Sequence, residues 1–501
     1  NLDPWVFQGE APRLWSEITF SVPEFLTYAF LRRGYHPYHI YDRKDRKQNF
    51  TVFSSIRSGT SDRVSFSAGV SDFRWVMIDV PSIREEDFSS ALVNHLSSIE
   101  FQMAGISPPL EPRSFKTSWP NLAKELLESE EFGRDIQQRN SWLKDHIGNI
   151  INNDLSETEK AKRLFEFVRD KFTCTSHYSL YLSQDLKQVM KTRKGNVADI
   201  NLLLTAMLRY AGLNADPVIL STRDHGFAPE DYPMISYFNY VIIRVTCDEQ
   251  NYFLDASRQG LGFGKLSPSC YNGHARIINP DAPAVYLDPD SLIEKKYIAL
   301  LFSEQKGGKW MGKFEKIPGE TESYLLRSRF KQNGVGEFFS SLEKNIGPTA
   351  TISNKKIDSL NQYEQPLAIR CDVALNIPSD DIFYFHPLFG NAYTKNPFQS
   401  AERHYPVELP YQIDETIVAS IAIPEGYEVD ELPSQLVVKL DQAESGYFEY
   451  RIGVMESTIS LRTVLRFNRT VFMPEEYEGL RKFFGMIVSK HAEYIVFKKK
   501  N

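Results

Sequence analysis

KGNVADINLLLTAMLRYAGLNADPVILSTR, residues Lys194–Arg223, decides how the fold of this chain is read. A Gly-Asn turn leads into an apolar segment, about Asp199–Ala211, which stops at Gly212 and continues into a strand, Pro217–Leu220. Because this segment is apolar almost all round, we predict a helix that is buried on most of its sides. The sequence therefore predicts a central core helix followed by a buried strand.

The pattern Gly-Asn-x-x-Asp-x-Asn that opens this helix resembles the transglutaminase-like proteins, which have a papain-type cysteine fold. In active members of that superfamily, the residue after the Gly-Asn or Gly-Asp pair is a nucleophilic cysteine. It lies at a helix N-terminus, where the macrodipole lowers the pKa of a thiol. This chain has Val197 at that position. An isopropyl group cannot attack a carbonyl carbon, so the resemblance implies that the nucleophile is missing.

The resemblance also implies a histidine near the start of the next long strand and an acidic residue after it. Tyr240 stands at the histidine position, and a phenol with a pKa near ~10, against ~6.5 for imidazole, is a poor general base at neutral pH. The acidic residue is present as Asp255. We predict that the Asp255 carboxylate accepts a hydrogen bond from the Tyr240 hydroxyl.

Five further segments resemble a narrower group of bacterial proteins. These proteins carry a domain of unknown function before a transglutaminase-like core and another β domain after it. The matching segments are Val80–Glu86, Ser221–Gly226, Phe238–Val241, Leu254–Ser257 and Gly264–Pro268. The resemblance therefore covers essentially the whole chain, and it predicts fold more specifically than function.

These observations predict an α+β multidomain protein. We expect a β-sandwich at residues 1–115 that lacks its first strands, a transglutaminase-like core at 116–288, and a C-terminal β-sandwich at 289–501 with a terminal helix and strand. Alternating polar and apolar residues bounded by turns, such as Arg57–Thr60, predict the strands. A proline-rich connector, Ile106–Pro112, ends the first domain. The order of helices before the Gly-Asn turn and strands after it agrees with the predicted core.

Helical spacing of apolar residues predicts helices at Asn121–Ser129 and Asp135–Ile151, and a third after the capping box Ser156–Glu159. Beyond Ser291 the two-residue period returns, and we interpret Tyr324–Phe330 as one of the strands there. The aromatic segment Phe383–Phe389 is open to two interpretations, a binding face or alternation into a sandwich core. We favour the core, because alternation alone would bury about half of these side chains.

The composition excludes several classes of function. The 501 residues include 58 basic and 65 acidic ones, a formal charge of −7, so we expect no nucleic-acid surface. We find no apolar run long enough to span a membrane and no signal peptide, although the start at Asn1 without methionine indicates a removed upstream segment. His36 and His39 lie in a proline-containing loop without a third ligand, and we predict neither a metal nor a cofactor.

The four cysteines, Cys174, Cys247, Cys270 and Cys371, form no C-x-x-C pair and indicate isolated thiols. Two of them have a histidine nearby in sequence, so a relocated nucleophile remains an alternative. These pairs are Cys174 with His177 and Cys270 with His274. His225 could in principle replace the missing imidazole, but with no thiol at position 197 it would have nothing to activate.

We therefore predict a non-catalytic pseudo-transglutaminase of the bacterial envelope, periplasmic or secreted, that binds or scaffolds a peptide, glycan or protein partner. This prediction rests on the degenerate positions Val197, Tyr240 and Asp255. The localisation rests on the resemblance together with the abrupt start of the chain. The alternative is an active acyl-transfer or amide-hydrolysing enzyme with a relocated nucleophile, which would need a nucleophile, a base and oxyanion donors in one pocket.

Overall fold

A computed structural model describes residues 2–55, 61–115, 117–306, 309–347 and 349–500 of the chain. The turn predicted at Arg57–Thr60 lies outside these ranges. The chain is a multidomain α+β protein, as the sequence predicted. In the described ranges, no helix is long and apolar enough to cross a membrane.

The N-terminal region is built from two β-sheets. Its strands are β1 (Trp5–Val6), β2 (Arg13–Pro23), β3 (Leu26–Arg33), β4 (Ile40–Ser55), β5 (Ser61–Val80), β6 (Ser98–Ile106) and β7 (Arg113–Ser114). One sheet has the order β1-β6-β3 with β7 beside β6, and the other has the order β2-β5-β4. The ring of Phe20 in one sheet lies 5.6 Å from Phe30 and 4.7 Å from Phe101 in the other. The two sheets therefore bury a shared aromatic layer, as in a sandwich.

The middle region combines helices with an antiparallel sheet. Its elements are α1 (Trp119–Glu128), α2 (Arg134–Gln137), α3 (Lys144–Gly148), α4 (Glu157–Lys171), β8 (Thr173–Cys174), α5 (Leu186–Thr192), β9 (Lys194–Gly195), α6 (Val197–Tyr210), β10 (Asn214–Leu220), β11 (Tyr240–Cys247), β12 (Gln250–Leu254), β13 (Gly273–Ile277) and β14 (Ala284–Leu287). The sheet has the order β12-β11-β10-β13-β14. Helix α6 is buried from Val197 to Leu208 and packs on β10 and β11. It is the central helix that the sequence predicted.

The C-terminal region contains an eight-stranded sheet covered by helices and a smaller sheet. Its elements are β15 (Ile293–Lys306), β16 (Lys309–Ile317), α7 (Glu320–Asn333), α8 (Val335–Ile346), β17 (Ala350–Asp358), β18 (Ala368–Asn376), β19 (Ile382–Phe385), β20 (Val407–Glu408), β21 (Gln412–Ala422), β22 (Tyr427–Glu431), β23 (Leu436–Lys439), β24 (Gly446–Met455), β25 (Thr458–Phe467), β26 (Val471–Phe472), α9 (Tyr477–His491) and β27 (Ile495–Lys499). The large sheet runs β17-β18-β16-β15-β21-β25-β24-β23, and the small one β19-β27-β22. Strands β15 and β21 pair in parallel.

The strand predicted at Tyr324–Phe330 is wrong, because these residues form the middle of helix α7. The buried residues of α7 are Ser323, Leu326, Arg327 and Phe330, a spacing of three and four that fits one helical face. The predicted strand has no regular alternation, since the run Tyr324–Leu326 is apolar and the run Arg327–Arg329 is polar. Acidic residues in the first turn also favour a helix at this position.

The continuous helix predicted at Asp135–Ile151 is also wrong, since the chain forms α2 and α3 with a break between them. Asn140 interrupts the segment with a left-handed φ of 43°, a conformation that asparagine tolerates better than most residues. The helices predicted near Asn121 and after Ser156 are confirmed as α1 and α4. Helix boundaries in this region are therefore set by turn residues that the apolar spacing does not reveal.

The aromatic segment Phe383–Phe389 packs largely into the core of the C-terminal region. Phe383, Phe385 and Phe389 are buried, whereas Tyr384 points to solvent. The Phe385 ring lies 4.8 Å from Trp310 on strand β16. The small sheet therefore uses one face of β19 to cover the large sheet, which agrees with the favoured interpretation.

Candidate functional site

The site begins at the N-terminus of helix α6, where Asn196 is the capping residue. The Asn196 side chain accepts the Asp199 N–H at 2.8 Å, and the Asp199 carboxylate accepts the Asn196 N–H at 2.8 Å. This reciprocal capping box fixes the start of the helix. Val197 follows as the first helical residue; its side chain is fully buried, and its N–H donates to the Ser176 carbonyl at 2.9 Å. Neither its side chain nor its amide faces solvent.

Tyr240 opens strand β11, and Asp255 follows the end of strand β12, so the antiparallel pairing of these strands brings both beside α6. The Tyr240 hydroxyl donates to Asp255 Oδ2 at 2.8 Å. This is the hydrogen bond expected from the sequence. Both side chains are fully buried. Burial, and next the charge of Asp255, raise the pKa of Tyr240 well above its ordinary value, so the phenol stays protonated.

The remaining bonds of Asp255 come from residues to which the sequence analysis assigned no role. Asn201 Nδ2 donates to Asp255 Oδ1 at 3.0 Å, and the Ser257 hydroxyl donates to the same oxygen at 2.6 Å. Arg258 Nε donates to the Tyr240 hydroxyl at 3.0 Å and lies 3.8 Å from Asp255 Oδ2. The carboxylate is therefore held by a closed set of partners. Asn201 is the last residue of the Gly-Asn-x-x-Asp-x-Asn pattern, and its place on a mainly apolar helix was the signal that could have revealed its role.

The structure places Cys174 beside this network. Strand β8 pairs in parallel with β9, which aligns Cys174 with Gly195, two residues before Val197. Cys174 Sγ lies 3.5 Å from His177 Nδ1, and that nitrogen lies 3.5 Å from the Ser257 hydroxyl. One apolar cluster includes Cys174, Val197, Tyr240 and Cys270. Thus one of the two cysteine–histidine pairs noted in the sequence is brought together.

The electrostatics of this pair favour its neutral form. Burial is the largest effect on Cys174 and raises the pKa of its thiol to about 11. Burial also lowers the pKa of His177, and the positive charge of Arg258 lowers it further. A thiolate–imidazolium pair, which cysteine hydrolases use, is therefore disfavoured at neutral pH.

The other cysteine–histidine pair is not assembled. Cys270 is buried in the apolar cluster, and burial raises the pKa of its thiol strongly. The His274 ring instead packs 5.3 Å from Trp119, and its Nε2 lies 2.9 Å from an Arg276 nitrogen. His225 is exposed, with its Nδ1 3.0 Å from the Ser221 hydroxyl. Neither histidine is hydrogen-bonded to a cysteine.

The histidines of the N-terminal loop also have local partners. His36 Nε2 lies 2.8 Å from the Ile78 carbonyl, and the His39 ring packs edge-on against Trp15. Within the described part of the chain, no group of three His, Cys, Asp or Glu residues is arranged to hold a metal ion. This loop therefore carries no metal proposal.

A cavity of about 310 Å³ lies next to the network. The loop that follows Arg258 forms one wall, and helix α7 of the C-terminal region forms the other. Tyr271, Tyr324 and Tyr363 line it, together with the ion pair between Lys265 and Glu320. Its volume is near the lower end of small-ligand pockets, roughly 300 Å³, and its mixture of aromatic and polar groups is typical of them.

Comparison with known families covers helix α6, strand β10 and the first half of strand β11. Residues 145–244 match the model of the transglutaminase-like superfamily. The chain contains a transglutaminase-like core. Residues 381–497, downstream of this core, match a domain of unknown function with solved structures, DUF3858. No curated protein matches the chain.

Two solved structures match this chain. One is a protein from Parabacteroides distasonis ATCC 8503 solved as a candidate protease, with 14% identity and a TM-score of 0.53 over 99% of this chain and 75% of that one. The other is a candidate cysteine protease from Cytophaga hutchinsonii, with 12% identity and a TM-score of 0.19 over 51% of this chain and 79% of that one. At this identity, the first likeness shows the fold alone, and the second carries no argument.

Proposed function

We propose that this transglutaminase-like protein is non-catalytic and binds a peptide, glycan or protein partner. The observation that carries the proposal is the buried network of Tyr240, Asp255 and Arg258 beside Val197. A valine and a protonated phenol occupy the positions that the resemblance assigns to a nucleophile and a base. The hydrogen-bonding groups of this network are paired with other protein groups. The network is therefore suited to stabilising the fold rather than to transferring protons.

The cavity beside the network is the proposed binding site. Its tyrosines offer flat faces for a peptide side chain or a sugar ring, and Lys265 and Glu320 offer charges at its edge. The protein would be screened against peptide and glycan arrays. Tyr324→Ala should weaken any specific binding, whereas Leu325→Ala, which changes an exposed neighbour on the same helix, should not.

The absence of catalysis is tested with peptide and amide substrates. We expect no turnover by the purified protein beyond the background of the buffer. Turnover that disappears in Cys174→Ala, Tyr240→Phe or Asp255→Asn would overturn the proposal. Turnover that survives all three substitutions would indicate a contaminating enzyme.

One observation favours a second candidate, an acyl-transfer or amide-hydrolysing enzyme that uses Cys174. Its thiol and the His177 imidazole are 3.5 Å apart, and Ser257 links that imidazole to Asp255. The raised pKa of Cys174 opposes this candidate. Loss of substrate turnover in Cys174→Ala, with an unchanged melting temperature, would favour it over the binding proposal.

We also propose a periplasmic or secreted location and domain boundaries at 1–115, 116–288 and 289–501. The location rests on the resemblance to bacterial proteins that carry a domain of unknown function before a transglutaminase-like core. Fractionation of the source bacterium, with an antibody to detect the protein, tests the location. A protein found only in the cytosolic fraction would contradict it.

Limited proteolysis tests the boundaries, because the first cuts should fall close to these junctions.

A further inference from the structure

A cluster of positive charge lies beside the degenerate site, on the segment 171–194. This segment contains five basic residues and one acidic residue, although the chain as a whole has a formal charge of −7. The basic residues, here called the basic patch, are Lys171, Lys187, Lys191, Arg193 and Lys194. All five are exposed. The segment is therefore opposite in charge to the rest of the protein.

The fold brings these five residues together from three elements. Strand β8 pairs in parallel with β9, which places the end of helix α4, with Lys171, close to Lys194. Lys187 and Lys191 lie about one turn apart on the exposed face of helix α5, whose other face is buried. Helix α5 ends directly before Arg193. The charges therefore form one patch on the surface of the middle region.

Arg193 is held in place by its backbone and by two aromatic rings. It has a left-handed φ of 55°; its N–H donates to the Val189 carbonyl at 2.9 Å, and its carbonyl accepts the Thr173 N–H at 2.9 Å. Its guanidinium carbon lies 5.2 Å from the centre of the Phe167 ring and 5.5 Å from that of Phe172. A guanidinium that packs against rings in this way keeps its N–H groups for an anion, and it can donate two parallel hydrogen bonds to a phosphate.

The protein does not neutralise the basic patch itself. Within the described ranges, none of the five side chains forms a hydrogen bond or an ion pair with another protein group. The two nearest carboxylates in the sequence are already engaged. Asp170 pairs with Arg169 at 2.8 Å, and Asp185 accepts the Gln188 N–H at 2.9 Å as the cap of α5. The positive charge of the patch is therefore available to an external anion.

The layout of the basic patch fits an extended surface better than a small ion. Helix α5 alone is about 10 Å long, so the charges are spread more widely than one phosphate group can reach. Acidic peptides are usually bound in grooves, whereas these side chains stand on exposed faces. Clusters of four to eight Lys and Arg residues are typical of surfaces that bind anionic lipid headgroups. An anionic membrane would also repel the rest of the chain, which is negative, so the patch would face the lipid.

We propose that the basic patch binds the surface of an anionic lipid bilayer, with the Arg193 guanidinium and the four lysines in contact with headgroup phosphates. The protein lies on the membrane and does not cross it. Strands β8 and β9 also carry Cys174 and Gly195, two residues before Val197, so this contact holds the degenerate site close to the bilayer. The inference is independent of the ligand proposed above for the cavity beside the network.

The test is co-sedimentation of the whole protein with lipid vesicles. We expect binding to vesicles of equal parts phosphatidylcholine and phosphatidylglycerol, and none to vesicles of phosphatidylcholine alone. Raising the ionic strength from about 0.1 to 1 M shortens the Debye length from about 10 to 3 Å, so the bound protein should be released.

The double variant Lys187→Ala/Lys194→Ala locates the contact. Each lysine near an anionic membrane strengthens binding about fivefold, so we expect this variant to bind about 20- to 30-fold more weakly than the wild type. Both side chains are exposed and have no protein partner in the described ranges, so the melting temperature should not change. The matched control is Lys344→Ala/Lys395→Ala, which removes two exposed lysines of the C-terminal region and should bind like the wild type.

Salt-sensitive binding that the patch variant loses and the control variant keeps supports the proposal. Three results overturn it. If the wild type does not bind the anionic vesicles, the patch is only a solvated surface. If the patch variant binds as tightly as the wild type, the vesicles contact another part of the protein. If the wild type binds polyglutamate but not the vesicles, the patch serves an acidic polypeptide.

Discussion

The Tyr240 hydroxyl links two side chains of the transglutaminase-like core, because it donates a hydrogen bond to Asp255 and accepts one from Arg258. Tyr240→Phe would leave a buried carboxylate oxygen of Asp255 and a partly buried guanidinium nitrogen of Arg258 with one partner fewer. We expect the free energy of unfolding to fall by about 1–3 kcal/mol. Urea unfolding followed by tryptophan fluorescence measures the loss. Tyr384→Phe, at an exposed site, should leave the free energy of unfolding unchanged. An equal loss of unfolding free energy in both variants would contradict a stabilising role of the network.

Cys174 gives a second test at the scale of one residue. With its pKa raised to about 11, we expect roughly one thiol in 10⁴ to be ionised at pH 7. Alkylation by iodoacetamide, mapped by mass spectrometry, should therefore be far slower than for an exposed cysteine and should accelerate as pH rises from about 7 to 10. Fast labelling of Cys174 at pH 7 would instead support the relocated nucleophile.

Sequence reasoning reached part of this site. Val197, Tyr240 and Asp255 could be named because their positions follow from a motif and its strand spacing. Ser257 and Arg258 could not, since they follow a strand in a loop whose course depends on the packing around it. The contact between Cys174 and His177 likewise depends on the two-residue pairing of β8 with β9, which is too short to give a periodic signal.

Helix α6 shows at the scale of one element how a polar cap anchors an apolar helix. Asn196 caps the helix and also donates to the Ser179 hydroxyl at 3.1 Å and the Tyr181 carbonyl at 3.0 Å. Asn196→Ala removes these bonds in a buried place, where water cannot replace them. We expect a loss of about 2 kcal/mol in the free energy of unfolding.

The matched control for this prediction is Ser156→Ala at the cap of α4. The Ser156 hydroxyl accepts the Glu159 N–H at 3.2 Å in an exposed turn, where water can take over the freed amide. The loss of unfolding free energy in Ser156→Ala should therefore be smaller, about 0.5–1 kcal/mol. If the two variants unfold at the same urea concentration, burial does not strengthen the cap of α6.

Helices were predicted well where the spacing of apolar residues and the capping residues indicated the same helix, as in α4 and α6. They were predicted poorly in α7, because its buried face includes Ser323 and Arg327 as well as apolar residues. Arg327 is buried since its guanidinium donates to the carbonyls of Ser359, Gln362 and Gln365. Those partners lie more than thirty residues away in the sequence, so no local pattern reveals them.

At the scale of the whole molecule, Glu408 joins all three regions. Its carboxylate accepts from His95 and from the Ser90 N–H at 2.8 Å, and its carbonyl accepts from Arg223 at 3.1 Å. The pKa of Glu408 is lowered, so its contribution to stability is present above the pKa of an unfolded glutamate, ~4.3, and is lost as pH falls through the folded value.

Glu408→Gln should therefore lower the urea midpoint at pH 7 by an amount equivalent to about 1–3 kcal/mol. The difference from the wild type should shrink as pH falls from about 6 to 3, because the wild-type carboxyl becomes protonated. Glu402→Gln, which changes an exposed carboxyl on the same segment, is the control and should unfold like the wild type at each pH. A difference for Glu408→Gln that does not vary with pH would contradict this assignment.

The bond between His95 and Glu408 also has a consequence for synthesis of the chain. The two residues are 313 positions apart, so at ribosomal rates of about 5–20 residues per second, His95 is made roughly 15–60 s before its partner. If the N-terminal sheets form during that interval, they do so with the His95 face uncovered. Tyr405, whose ring covers His95 at 4.8 Å, arrives just before Glu408. The junction can therefore close only late in translation, after Glu408 has been made.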